Sequence, residues 1–243
     1  MRILLCAIIF CLSFSAYSNE YLLRHIVATS QAMSSLYMKG LSQGSNRYEK
    51  DFVQYRQNAQ ANLQMLQQED NKLFQDLSER WQLFSDKLAL TYSEEYGWDI
   101  DSAIRRDFRG YLSNTYEIAR ERAQTFDSEI LKRLYASVQV EAMVARFLDI
   151  ASTYNGTFSL SLSDAEKLDI QQANEIFKST LEELKGQSSA EKNMQTAARK
   201  WEFVEKNVIG EASQGAFFLV YATKTRITNI LIPSLNTTVS SDF

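Results

Sequence analysis

Proline occurs once in this chain of 243 residues, at position 233. Proline is the residue least tolerated inside a helix, and the eight glycines fall mostly at segment ends, so the chain is written for long helices and few turns. The expected class is all-α. The longest uninterrupted stretch runs from Asp101 to Asn155, with Gly110 its one glycine. Apolar residues return there at helical spacing: Ile104, Phe108, Tyr111, Thr115 and Ile118, then Leu134, Val138, Met143, Phe147 and Ile150. As a single helix it would be roughly 80 Å long at 1.5 Å per residue. No small bundle buries that length, so the stretch reads as the last helix of one unit continuing as the first helix of a second.

The remaining helices are bounded by glycines and caps. The first is expected over 20–39, stopped by Gly40 and Gly44, with Leu22, Ile26, Thr29, Met33 and Leu36/Tyr37 as its stripe. The second, over 45–68, turns Phe52, Tyr55, Ala59, Leu63 and Leu66 inward and crowds Gln and Asn on its other face. The third, over 71–92, carries Phe74, Leu77, Trp81, Phe84 and Leu88, and a polar aromatic loop follows over 93–101. Residues 157–162 read as an extended loop. Ser163-Asp-Ala-Glu166 and Ser188-Ser-Ala-Glu191 are capping boxes opening helices that close at Gly186 and Gly210. A last helix over 212–232 stops at Pro233, leaving a polar tail.

These segments repeat in order. At an offset of 120, Phe74, Leu77, Trp81, Phe84 and Leu88 fall on Met194, Ala197, Trp201, Val204 and Val208. At 118, Phe52, Tyr55, Ala59, Leu63 and Leu66 fall on Ile170, Ala173, Phe177, Leu181 and Leu184. At 110, Ile26, Thr29, Met33 and Tyr37 fall on Ala136, Gln139, Met143 and Phe147. Shared periodicity carries little weight by itself; the order of three matched helices and the shared tryptophan carry more. The expectation is two tandem antiparallel four-helix-bundle units, residues 19–127 and 128–236, sharing one long central helix, with 237–243 a flexible tail.

The first 18 residues have the form of a secretory signal: Arg2, an apolar run from Ile3 to Phe14, and Ala16-Tyr17-Ser18 as the cleavage site. That places the chain in the periplasm or outside the cell, with retention of the segment as an anchor the alternative. Both cysteines, Cys6 and Cys11, lie in that segment, which leaves no disulfide, thiol nucleophile or thiolate ligand beyond it. Removing Arg2 takes the net charge from −4 to −5, a balance that argues against nucleic acid.

The chemistry-bearing residues are few. His25 is the one histidine, so a Ser/His/Asp triad would rest on it alone, and its place beside Ile26 fits a partly exposed structural residue. No Gly-rich phosphate loop, HExxH or EF-hand pattern is present, and no cofactor is called for. Glu94, Glu95, Asp99 and Asp101 form the densest acidic cluster, but their spacing matches no metal loop and Asp99 or Asp101 serves as a helix cap; no metal is expected. Tyr92, Tyr96 and Trp98, interleaved with those acids, suit a partner surface or equally a packed bundle end. Met33, Tyr37 and Met143 could line an interhelical pocket or simply fill the core. Arg146 would mark a ligand site if its guanidinium points inward, because a buried arginine needs an anionic partner.

Two features carry a family resemblance. Ala32-Met33-Ser34-Ser35 and Ala142-Met143-Val144-Ala145 stand on the first helix of each unit. A Trp-bearing helix, Trp201-Glu-Phe-Val, precedes an apolar, Thr-rich one, Phe217-Phe-Leu-Val-Tyr-Ala-Thr-Lys-Thr-Arg-Ile-Thr228. Together they resemble the periplasmic helical sensor domain of type IV pili chemotaxis transducers and nitrate sensor kinases, the PilJ/NarX-like domain, in two copies. In the nitrate sensors an arginine precedes the methionine. Here Ser30, Gln31 and Ala32, or Glu141 and Ala142, stand there, and Arg24 and Arg146 are out of register, so nitrate binding does not carry over. The resemblance implies an exported, non-enzymatic, sensor-like binding protein, accessory to an envelope signalling or secretion system, with a small-molecule or anion ligand or a membrane receptor as partner. A structural spacer or assembly factor binding envelope proteins through its Gln/Asn faces is the rival.

Overall fold

The computed structural model describes residues 2–94, 97–154, 168–186, 191–210 and 216–233, with side chains from Tyr17 onward apart from those of residues 93, 153 and 154. Helices dominate: α1 (Arg2–Leu41), α2 (Asn46–Glu69), α3 (Asn71–Phe84), α4 (Ser102–Arg122), α5 (Glu129–Tyr154), α6 (Ile170–Lys185), α7 (Glu191–Ile209) and α8 (Phe217–Leu231). The all-α expectation holds, with one small addition. Thr91–Ser93 (β1) and Gly97–Asp99 (β2) form an antiparallel hairpin in which Tyr92 faces Trp98. Among the described residues no helix is long and apolar enough to cross a membrane.

The long central helix is broken. α4 ends at Arg122, a 3-10 turn covers Ala123–Thr125, and α5 starts at Glu129. The break has local causes that apolar spacing hides. The Thr125 hydroxyl donates to the Arg122 carbonyl (2.7 Å), competing with the helical ladder. Phe126 leaves helical geometry at ψ 78° and tucks inward, its ring edge-on to Tyr135. Ser128 then caps the new helix, its Oγ accepting from the Leu131 N–H (3.3 Å). Asp127-Ser128-Glu129 is a helix start inside an unbroken apolar rhythm.

The turn brings α5 back beside α1. Asn19 reaches Thr125 just before α5, and Gln31 reaches Glu141 further along, so the two helices run in the same direction. α1 packs mainly on α2 and α5 and touches α4; α2 packs on α3, and α3 on α4. α5 packs on α6 and α8 and more lightly on α7; α6 packs on α7, and α7 on α8. α1 and α5 are therefore the two inner helices, and the one-sided stripes expected of them are wrong. Every residue from Ala28 to Met38, and from Leu134 to Ala145, is buried. Alanines and serines, such as Ala32, Ser34, Ser35, Ala142 and Ala145, permit that closeness.

Burial on all sides forces polar groups into the interior, where each needs a partner. Glu141 on α5 is the hub. It accepts from Gln31 of α1 (3.1 Å) and Thr228 of α8 (2.7 Å), and pairs with Lys224 of α8 (2.5 Å). Lys224 is 1% exposed and Glu141 wholly buried. One carboxylate thus ties three helices. One turn away, Ser35 and Tyr221 hydrogen-bond (3.0 Å) across the α1–α8 contact.

Trp81 and Trp201 are both 1% exposed. Each donates its indole N–H to an amide oxygen on the preceding helix, Gln60 (2.6 Å) and Asn174 (2.7 Å) respectively. α3 stops at Phe84, whose φ of −129° departs from α-helical values, and a 3-10 turn over Ser85–Lys87 follows, one turn short of the stripe position Leu88; the Ser85 carbonyl accepts from Arg56 (3.0 Å). α6 is capped by Asp169, which accepts from the Gln172 N–H (3.0 Å). The capping boxes at Ser163 and Ser188, the loop at 157–162 and the tail at 237–243 lie outside the described residues.

The hairpin closes one bundle end over the α1–α2 turn. Gly44 has φ +85°, and a Cβ there would lie 2.3 Å from the Trp98 ring; Gly97 has φ +71° but open space around it. Gly44→Ala should therefore cost the left-handed penalty plus displacement of the indole, and Gly97→Ala the penalty alone. The difference, roughly 1–3 kcal/mol, is read by urea denaturation with tryptophan emission. Lys224→Met leaves Glu141 buried without its cation and should cost about 3–5 kcal/mol. Adding Glu141→Gln, which keeps hydrogen-bonding capacity toward Gln31 and Thr228, should recover most of that in the same assay.

Candidate functional site

The groups that sequence reasoning singled out do not gather in one place. Met33 and Arg146 meet across a cleft where α1, α4 and α5 converge. It has a cavity of about 40 Å³ and is lined by Met33, Arg109, Leu112, Ser113, Tyr116, Ala142, Arg146, Asp149, Ile150 and Leu168. Tyr37, one turn beyond Met33, is buried with the Arg105 guanidinium 5.2 Å above its ring. Met143 is fully buried and lies outside the cleft lining, so it is core.

Three residues absent from the sequence-level set shape the cleft. Arg105 and Arg109 lie one helical turn apart on α4 and converge on Asp149 of α5. Arg105 donates to the carboxylate (2.8 Å), to the Asp149 carbonyl (2.7 Å) and to Ser152 (2.8 Å). Arg109 grips both carboxylate oxygens, at 2.8 and 2.5 Å. The i, i+4 arginines are visible in the sequence, but their acceptor lies 40 and more residues downstream on a helix whose direction depends on the hidden break. Burial, followed by the Asp149 charge, raises the Tyr37 hydroxyl pKa well above the tyrosine range; the two arginines oppose this. The phenol stays protonated.

Arg146 is different. Its Nη1 donates to the Leu168 carbonyl, while its Nε is buried with no hydrogen-bond partner among the described residues. Burial pulls its pKa below the ordinary arginine value, and the charges of Asp169 and Asp149 act against that shift. The guanidinium is half-buried, faces the cleft and lacks a carboxylate within ion-pair distance among the described residues.

The aromatic loop splits into two roles. Tyr92 is 61% exposed. Trp98 is held: it packs on Gly40 and Gly44, lies under the Lys39 ammonium (5.2 Å) and meets Tyr92 across the hairpin (5.5 Å). Tyr96 lies outside the described residues, as does Glu95. Asp101 caps α4, accepting from the N–H groups of Ala103 (2.9 Å) and Ile104 (3.1 Å). Among the described residues no group of three His, Cys, Asp or Glu side chains is placed to hold a metal.

His25 is fully buried, not partly exposed. Its Nδ1–H donates to the Ala59 carbonyl (2.8 Å), which can only accept, so Nε2 accepts a hydrogen bond from the Tyr111 hydroxyl (2.6 Å). Trp81 stands edge-on at 5.3 Å. Both nitrogens are occupied by the scaffold. No family model, curated protein or solved structure matches the chain.

Burial lowers the His25 pKa to about 4, with the Ala59 hydrogen bond pulling the other way. The unfolded chain therefore binds this proton near its ordinary pKa of about 6.5 while the folded one does not. Stability should be unaffected by His25 above that value. It should fall by up to about 3 kcal/mol as pH drops from 6.5 to 4. Urea denaturation across pH 4–8 checks this, and His25→Gln should flatten the acid limb while lowering stability at pH 7.

Proposed function

We propose that this is an exported, non-enzymatic, sensor-like helical protein that binds a small molecule in the α1–α4–α5 cleft and acts as accessory to an envelope signalling or secretion system. The observation that carries the reading is Arg146: a half-buried cationic side chain lining an otherwise largely apolar cleft, with no carboxylate within ion-pair distance among the described residues. Desolvating a guanidinium without an acceptor is costly, and a ligand supplying one removes that cost. The resemblance of the paired Ala-Met segments and the Trp-bearing helices to PilJ/NarX-like sensor domains supports the same class.

On this reading α1–α4 and α5–α8 are two four-helix units. They stand side by side through their first helices rather than end to end along a shared rod. The like settings of Trp81 and Trp201 support a duplicated unit. The cleft then lies where the first and fourth helices of one unit meet the first helix of the other. A ligand there touches both units and biases their packing, which is what a sensor requires. The N-terminal segment supports export, and the lack of a nucleophile-base pair around His25 supports a non-enzymatic role.

A spacer that binds proteins through the exposed Gln57, Gln64, Gln67 and Gln68 face of α2 makes a different demand. It needs no cleft occupant. Thermal unfolding in the presence of small anions, amino acids and sugars separates the two. A ligand at a hundred times its dissociation constant should add about 2.7 kcal/mol, or roughly 5–10 °C in Tm. Met33→Trp, which fills the cleft, should abolish the shift. Silence across the panel together with recovery of a crosslinked protein partner would replace this reading by the spacer.

A further inference from the structure

The cleft's own dimensions and polarity narrow its occupant, granted that it holds a small molecule at all. Its one lining carboxylate, Asp149, already accepts from Arg105 and Arg109, so it is not free to serve Arg146. Arg146 contributes one positive charge and a planar fork of donors, of which Nη1 is held by the Leu168 carbonyl. A guanidinium fork matches a carboxylate in geometry and charge.

Much of the remaining lining is apolar: Met33 of α1, Leu112 of α4, and Ala142 and Ile150 one turn to either side of Arg146 on α5. An inorganic oxyanion would turn oxygen atoms against that wall and leave them without donors, at the cost of desolvating each. An alkyl tail meets it favourably. The cavity, of about 40 Å³, is small and partly open to solvent, which favours a short occupant whose end can reach the mouth of the cleft.

We infer that the cleft binds a short-chain monocarboxylate of about two to four carbons, its carboxylate on Arg146 and its tail against Met33 and Leu112. Arg109 stays on Asp149 and forms the fixed cationic flank of the site. Ligand binding completes an ion pair between α5 and the occupant, while the tail fills the gap against α1 and α4.

Calorimetric titration of the purified protein with acetate, propionate and butyrate, and with nitrate, phosphate and the neutral propionamide, tests this. Propionate should give a saturable heat, and nitrate, phosphate and propionamide should bind at least roughly tenfold more weakly. In spectra of methyl-labelled methionine, the Met33 signal should move with propionate while exposed Met65 stays still. Arg146→Gln should weaken propionate by roughly tenfold or more without lowering the Tm of the free protein. Should that variant not fold, Arg146→Lys, which keeps the charge and loses the fork, should give an intermediate loss. Carboxylate binding that survives Arg146→Gln with Met33 unmoved overturns the proposal. A neutral molecule that shifts Met33 while all carboxylates are silent overturns the ligand class but leaves the cleft as a binding site. Silence of these probes and of the wider panel of anions, amino acids and sugars overturns both.

Discussion

The parallel contact between α1 and α5 is the constraint from which the rest follows. Two helices that run side by side and are buried on every face must be narrow where they touch, and small residues at Ala32, Ser34, Ala142 and Ala145 meet that condition. They must also satisfy each polar group internally. Glu141 does this for three helices at once, accepting from Gln31, Thr228 and Lys224. A buried ion pair is weak ground for net stability, but an unmatched one is heavily penalised, so alternative registers of α8 against α1 and α5 are disfavoured.

The same contact creates the cleft. α4 leans on α1 from one side while α5 occupies the next, and the three helices do not fill the space between Met33, Leu112 and Ile150. Arg105 and Arg109 bind α4 to α5 through Asp149, fixing the cleft's width with charge-assisted hydrogen bonds in place of packing. Arg146 stands one turn from Asp149 on the same helix, and its Nη1 is held by the carbonyl of Leu168, just ahead of α6.

Much of the fold was legible in the chain. The Gly40 and Gly44 stops and the period-3.6 stripes place the C-terminal end of α1 and both ends of α2 within two residues of where they fall, although α1 starts at Arg2, well before the expected residue 20. The stripes of α2, α3, α6 and α7 face inward as their spacing predicts, with Trp81 and Trp201 at their centres. The break at Phe126 was not legible, because apolar residues continue at helical spacing through it and the decisive groups, Thr125 and Ser128, act through single hydrogen bonds. Missing that break hid everything depending on it. The all-round burial of α1 and α5 and the meeting of Arg105 with Asp149 require a fold-back that periodicity does not encode. Arg146 and Met33 were reachable only as residue types out of place on an apolar helix, and it took the fold to bring them together.

The turn at 123–128 is short, and both helices it joins are well formed. Straightened, it would continue α4 into α5 and carry α5–α8 away from its own α1. The surface so exposed is complementary to the α1 of any other copy. Only the contacts between α1–α4 and α5–α8, Gln31 with Glu141 and Arg109 with Asp149 among them, are the ones such an exchange would transfer to a second chain. The buried Phe126 and the Ser128 cap hold the turn in the shape that keeps those contacts within one chain.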